Sequence, residues 1–198
     1  TPNIPIVSEE TVDLNVKNTA KIFWLIDPID GTKEYIAGKD EYTLNAGLII
    51  NKLPAIGIIG VPKKDRIFYS FGKNNSLLLE NNQTIKLECK KKSPKGEIFA
   101  LTNHTEPPEI ILNKLKEFGV TSFRKLSSSY KYCVIATGEY DLYVDKVRAN
   151  EWDDAAGHAI AESAGAIVTS LENKSFKYGK GDYKNPTILI RRNKDLNV

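Results

Sequence analysis

Apolar residues along this chain fall in short blocks. "KIFWLI" at 21–26 has the length and the β-branched and aromatic make-up of a buried strand. "DPIDGT" follows it directly, so the chain is expected to turn there, with Asp27 at the strand's end and Asp30 in the turn. "TKEYIAG" then reads as the first turn of a helix or as a tight loop. Further on, "EYTLNAGLIINKLPAIGIIGVPKKDRIFYSF" alternates apolar blocks with the breaks "NKLP" and "VPKKDR", which predicts an antiparallel meander. "SLLLENNQTIKL" predicts one more hairpin, around Asn81 and Asn82. The opening "TPNIPIVSEETVDL" holds a short apolar run ending in Ser8, Glu9 and Glu10, a strand that delivers acids at its end. Residues 1–92 are therefore expected to form a mostly antiparallel β unit.

The pattern changes after the basic run "CKKKSPK", itself read as a solvated connector. "GEIFALT", "TSFRKL", "YDLYV", "AIVTS" and "TILIRR" have strand character. Between them, "EPPEIILNKLKEFG" places Ile111, Leu112, Leu115 and Phe118 at helical spacing, with prolines before and glycine after. "SSSYKYCVIATG" predicts a helix with serine caps and a glycine stop, and "NEWDDAAGHAIAESAG" predicts a helix ending at Gly165. Strands alternating with helices imply an α/β unit over 93–198. "LNAGLII" and "AIGIIGV" are apolar at nearly every position, a pattern of burial on both sheet faces. The first half offers no amphipathic helix to cover the second face, so an exposed apolar face and self-association are expected.

With 41% hydrophobic and 27% charged residues among 198, the chain can bury a core in one or two compact units. A net charge of +3 gives no footing for a nucleic-acid polymer, and no apolar run approaches a membrane span. Two cysteines, Cys89 and Cys133, suit a reducing compartment, so a cytoplasmic location is expected.

Three acidic spots stand out: Glu9 with Glu10, Asp27 with Asp30, and Asp153 with Asp154. Singly each has an ordinary explanation; Asp153 simply complements a helix dipole, and Glu9 and Glu10 lie in a solvated loop. Together they supply hard oxygen ligands from separate segments, which suits Mg²⁺ sharing phosphate oxygens with a substrate. Two such ions can activate water and stabilise a leaving oxygen. Histidine is scarce, with only His104 and His158.

"WLIDPIDGT" and "EWDDAAGHAIAESAGA" resemble the paired signatures of the inositol monophosphatase superfamily of metal-dependent phosphatases. "IPIVSEE", "DPIDGTKEYI" and "SSSYKYCVIATGEYDLY" are similar, within it, to bacterial 3′(2′),5′-bisphosphate nucleotidases, from about residue 1 to the end. The resemblance implies a layered αβαβα fold of the α/β (α+β) class. It implies metal ligation by Glu9, Asp27, the Ile29 carbonyl, Asp30 and Asp153, with Asp27 bridging. Gly31 and Thr32 would hold phosphate through their amides, and the Thr32 hydroxyl would orient the attacking water; Thr32 and Asp27 are the catalytic pair. Ser128, Lys131 and His104 would contact the nucleotide's other phosphate or ribose, and Asp153 would border the substrate as well. The cofactor implied is Mg²⁺, two or more ions, with Mn²⁺ as a substitute. The substrate implied is adenosine 3′,5′-bisphosphate, hydrolysed at its 3′-phosphate, with an inositol or sugar phosphate as the alternative.

Members of the family carry an upstream helical segment whose aspartate partners the threonine, and no such segment precedes Thr1 in this sequence, which also contains no methionine. The expected fold therefore lacks the N-terminal helical layer, and a further alternative is a relative that binds metal or ligand without efficient turnover. Asp145 stands where these nucleotidases usually have a basic residue, Ala149 where they have threonine, and Leu101 where a hydroxyl precedes the histidine.

Overall fold

The computed structural model describes residues 2–16, 18–89, 96–193 and 196, with backbone alone for Val147 and Arg148. Most of the basic run, residues 90–95, lies outside the described residues.

The first half builds a seven-stranded sheet in sequence order. β1 (Ile6–Ser8) pairs parallel with β2 (Ile22–Asp30), and the antiparallel meander continues through β3 (Thr43–Ile50), β4 (Leu53–Val61), β5 (Arg66–Phe71), β6 (Ser76–Glu80) and β7 (Gln83–Lys86). Two hairpins close on pairs of residues in the left-handed region, Asn51–Lys52 and Asn81–Asn82. That conformation matches the twist of the flanking strands, and asparagine tolerates it better than most residues. A short helix, α1 (Thr32–Ile36), joins β2 to β3.

The second half forms a five-stranded sheet from β8 (Phe99–Thr102), β9 (Ser122–Lys125), β10 (Leu142–Asn150), β11 (Ile167–Ser170) and β12 (Lys184–Arg191), in the order β11-β12-β10-β8-β9. β8 pairs parallel with β9 and β10, while β12 runs antiparallel to β10 and β11. The predicted helices are present as α2 (Glu109–Glu117), α3 (Tyr130–Ala136) and α4 (Glu151–Ser163).

α3 and α4 fill the space between the sheets, and one core runs from Ile59 and Phe68 through Tyr132 and Ile160 to Tyr143 and Ile188. α2 covers the far side of the second sheet, setting Ile111 and Leu115 on Leu142, Val144 and Leu189. α4 approaches the first sheet closely because both sides are small. A Cβ on Gly47 would come within 2.7 Å of the Ala155 side chain, and one on Gly57 would collide with the Ala156 carbonyl oxygen. This close contact places the N-terminus of α4 beside the end of β2.

The first sheet's two faces differ. Phe23, Leu25, Ile49, Ile59 and Phe68 are buried on the inner face. On the outer face, Leu44, Ile67 and Leu79, in register through Gly60, and Ile58 two residues along β4 are 42%, 44%, 36% and 41% exposed. Two local expectations need correction. β2 does not end at Asp27 but continues to Asp30, with the irregularity absorbed in the strand. Only one of the serines before α3 acts on its start: Ser129, the N-cap, makes no side-chain cap bond, because its hydroxyl is engaged elsewhere, whereas the Ser128 hydroxyl oxygen accepts the Tyr130 amide at 3.4 Å.

Candidate active site

The irregularity in β2 is what makes the site. Asp27 pairs with Asn45 and Asp30 with Thr43, so Pro28 and Ile29 together stand opposite the single residue Leu44. In a regular strand, residues three apart point to opposite faces. The extra residue of this bulge returns Asp30 to the face that carries Asp27. Pro28, which has no N–H for the ladder, sits inside the bulge, where it is tolerated. The carboxyl of Asp27 accepts the Ile29 amide at 3.0 Å and steadies the bend. Gly31 then takes φ +85°, a left-handed turn that sends the chain into α1.

Glu9 reaches the same place from β1, held by its amide's bond to the Ile26 carbonyl at 3.1 Å. Asp153 comes from the first turn of α4. One of its oxygens, Oδ2, accepts the Asn150 amide at 2.7 Å in a capping box. The ordinary explanation of Asp153 is thus correct for half of its carboxyl. The same carboxyl lies beside Glu9 and Asp27, and the three residues offer oxygens within 4.8 Å of one another. Asp30 is outside that set of three, yet near enough to act on both Asp27 and Asp153.

Crowding of like charges at a buried site disfavours ionisation. Burial first, then Asp30 and Glu9, push Asp27 up to about 8. Burial first, then Asp30 and Asp154, push Asp153 up to about 8, with Lys131 offsetting little. Hard oxygen donors from three segments, crowded enough to resist ionising together, are the chemistry of a divalent cation site, and a divalent cation between them would reverse both shifts. The donor set therefore fits a bound Mg²⁺.

The residues expected on the substrate side are placed differently. Lys131 is buried and lines a cavity of ≈ 170 Å³ with Asp30, Asn103, Ser127, Tyr143, Asp153 and Asp154. Its ammonium lies over the rings of Tyr132 and Tyr143, at 5.2 and 5.4 Å. The hydroxyl of Ser128 donates to the Glu41 carbonyl, tying α3 to the loop before β3. His104 does not line the cavity; its Nε2 lies 3.3 Å from Asp145, which is buried and also accepts the Asn103 amide. Thr32 donates its hydroxyl to the Ile29 carbonyl at 3.2 Å, so those two site residues engage each other.

Sequence reasoning passed over Asn45, Ser129, Asn103, Tyr143 and the role of Asp154. Asp154 is buried, accepting Tyr132 Oη and Asn185 Nδ2, both at 2.9 Å. The second acid of "WDD" and the third serine of "SSS" were visible signals, but neither says which partner it meets.

Layers of this kind, with a carboxylate cluster between sheet end and helix start, define a metal-site α/β fold of the sugar-phosphatase type. A sequence profile of the inositol monophosphatase family matches residues 1–197, and the chain belongs to that family of phosphatases. It is 32% identical over 179 residues to the 3′(2′),5′-bisphosphate nucleotidase CysQ of Escherichia coli K12, covering 90% of this chain and 71% of that one. The enzyme of the same name from Buchnera aphidicola is 33% identical over 181 residues, covering 89% and 66%. The crystal structure of CysQ from Bacteroides thetaiotaomicron superposes with a TM-score of 0.83 at 26% identity, covering 96% of this chain and 77% of that one.

Proposed function

We propose that the protein is a Mg²⁺-dependent phosphomonoesterase that removes the 3′-phosphate of adenosine 3′,5′-bisphosphate to give AMP and phosphate. The observation that carries this is the convergence of Glu9, Asp27 and Asp153 from three segments. The names of the nucleotidases it resembles support the substrate. Glu9, Asp27, the Ile29 carbonyl, Asp30 and Asp153 would hold the metal, in two or more ions, with Mn²⁺ able to replace Mg²⁺. Bound there, the ion supplies Lewis acidity and lowers the pKa of water.

The chain's own residues do the rest. The amides of Gly31 and Thr32 receive phosphate oxygens at the left-handed turn. The Thr32 hydroxyl orients water for attack on phosphorus as the bond to the ribose 3′-oxygen breaks. Lys131, desolvated over two tyrosines, places one fixed positive charge in the cavity for the second phosphate. Ser128 and His104, which stand outside that cavity's lining, would meet the nucleotide's second phosphate or ribose beyond it. Units 1–92 and 93–198 each contribute half of the site. Two free, buried cysteines support a cytoplasmic location, and the described residues contain no helix long and apolar enough to cross a membrane. The exposed outer face of the first sheet supports self-association, which light scattering across a concentration series checks.

Phosphate release from adenosine 3′,5′-bisphosphate and from inositol 1-phosphate, with Mg²⁺ and with chelator, tests the proposal. Mg²⁺-dependent preference for the nucleotide is expected. Equal turnover of both would favour a broad sugar-phosphate enzyme. One observation favours the slower alternative of binding without efficient turnover: the Thr32 hydroxyl is already given to Ile29. Metal binding without phosphate release from either substrate would select it.

A further inference from the structure

Ser129 lies where β2, β3 and α4 meet, and it is fully buried. Its amide donates to Asp30 Oδ2 at 2.5 Å, and its hydroxyl lies 2.6 Å from the same oxygen. That hydroxyl also reaches the backbone carbonyl of Asp153 and accepts Asn45 Nδ2 at 3.0 Å. Asn45 Nδ2 and Thr43 Oγ1 stand a further 3.4 and 3.5 Å from Asp30 Oδ2. The Ser129 amide, Asn45 Nδ2 and Thr43 Oγ1 therefore crowd one carboxylate oxygen, and the Ser129 hydroxyl shares its single proton between that oxygen and the Asp153 carbonyl; among the described residues Oδ1 accepts no hydrogen bond.

The orientation of Asn45 is informative. Its Oδ1 is buried without a hydrogen-bond partner. Turning the amide over would aim that oxygen at the Asp30 carboxylate and lose both donors, so the side chain keeps its donors on Asp30 and Ser129. Nor does Ser129 serve its own helix, since it makes no side-chain cap bond to α3.

We propose that Ser129 is a positioning residue for the metal site. It pins Asp30 by Oδ2 so that Oδ1 alone is offered to an ion. It also ties Asp30 to the backbone of Asp153, so that the two acids keep a fixed separation. This rests on the metal-dependent reading above. Partners one layer outside a metal's ligands typically change its affinity by ~10–100-fold when lost.

The test pairs Ser129→Ala with Ser76→Ala. Ser76 is also fully buried and also donates its hydroxyl to an α4 carbonyl, that of Ile160 at 3.0 Å, away from the acids. Both variants should lose thermal stability. Calorimetric titration with Mn²⁺ should show affinity falling about tenfold or more in Ser129→Ala and staying within about twofold in Ser76→Ala. Ser129→Cys, which fills nearly the same volume with a weak donor, should match Ser129→Ala and covers a failure of the latter to fold. Unchanged affinity in the Ser129 variants, or equal weakening in Ser76→Ala, would overturn the proposal. A metal-free crystal structure of a Ser129 variant separates this inference from the metal reading. Asp30 should leave its place there even if the parent protein takes up no Mn²⁺, and an unmoved Asp30 would count against Ser129 in either case.

Discussion

The two sides of the candidate site, an acid wall and a substrate wall, are built on opposite principles. On the acid wall, Glu9, Asp27 and Asp153 face one another, and two of them are pushed up to about 8 by burial and by their neighbours. On the opposite wall, Ser128 is bonded to the Glu41 carbonyl and His104 lies against Asp145. The acid wall is thus incomplete without a cation, whereas the other wall is satisfied by itself. A ligand gains most where the protein alone is least compensated. Changes at the acids should therefore be large, and changes at the satisfied groups small.

The largest effect is expected from Asp27→Asn. Outer partners of a metal site already cost ~10–100-fold, so loss of the proposed bridging carboxylate should lower Mg²⁺-dependent kcat/KM at least as much. The same variant should raise the Tm of the metal-free protein, because it removes a crowded buried acid. A lower Tm in chelator would show that Asp27 is not repelled by its neighbours.

Next comes the dependence of stability on pH. With folded values near 8 against an ordinary 3.8, Asp27 and Asp153 hold protons that the unfolded chain has released. Between about 4 and 8 the folded state therefore binds more protons, and these groups make stability fall as pH rises through that window. Thermal melts in chelator at pH 5 and pH 8.5 should show the lower Tm at pH 8.5, and Mg²⁺ should remove most of the difference. A metal-free protein that is more stable at pH 8.5 would contradict the crowding.

Lys131→Met should act more modestly. It keeps the apolar stem between Tyr132 and Tyr143 but removes the charge, so KM for the bisphosphate should rise more than kcat falls. A kcat effect with unchanged KM would move Lys131 from binding to the reacting phosphate. The smallest effect belongs to His104→Ala. A side chain about one-third exposed and already against Asp145 should change kcat/KM by only about threefold, within the range of a weak contact. A loss approaching that of Asp27→Asn would break the contrast between the walls.

The same contrast marks what the sequence makes legible. "DPIDGT", "VSEE" and "EWDD" stand out because each sets acids where a regular element ends or begins, where local pattern and chemistry coincide. The meander, its asparagine hairpins and the alternation of the second half follow from short-range periodicity in the same way. What brings Asp30 to the face of Asp27 is a bulge in β2, and a proline between two acids reads equally well as a turn. The bonds that tie Ser128 and Ser129 to Glu41, Asn45 and Asp30 span 84 to 99 residues of sequence. No local pattern encodes that choice, so serines before a helix read only as caps although they also tie it to the first sheet and to the loop before β3.

The central claim is that the acid wall is a cation site held partly protonated in the absence of its ion. Calorimetric titration of the parent protein with Mn²⁺ at pH 6.5, repeated in two buffers of different ionisation heat, tests it most directly. The account predicts binding accompanied by proton release, with affinity rising towards pH 8.5 as Asp27 and Asp153 lose their protons. Absence of binding heat in both buffers, or binding with no proton released at pH 6.5, would contradict it.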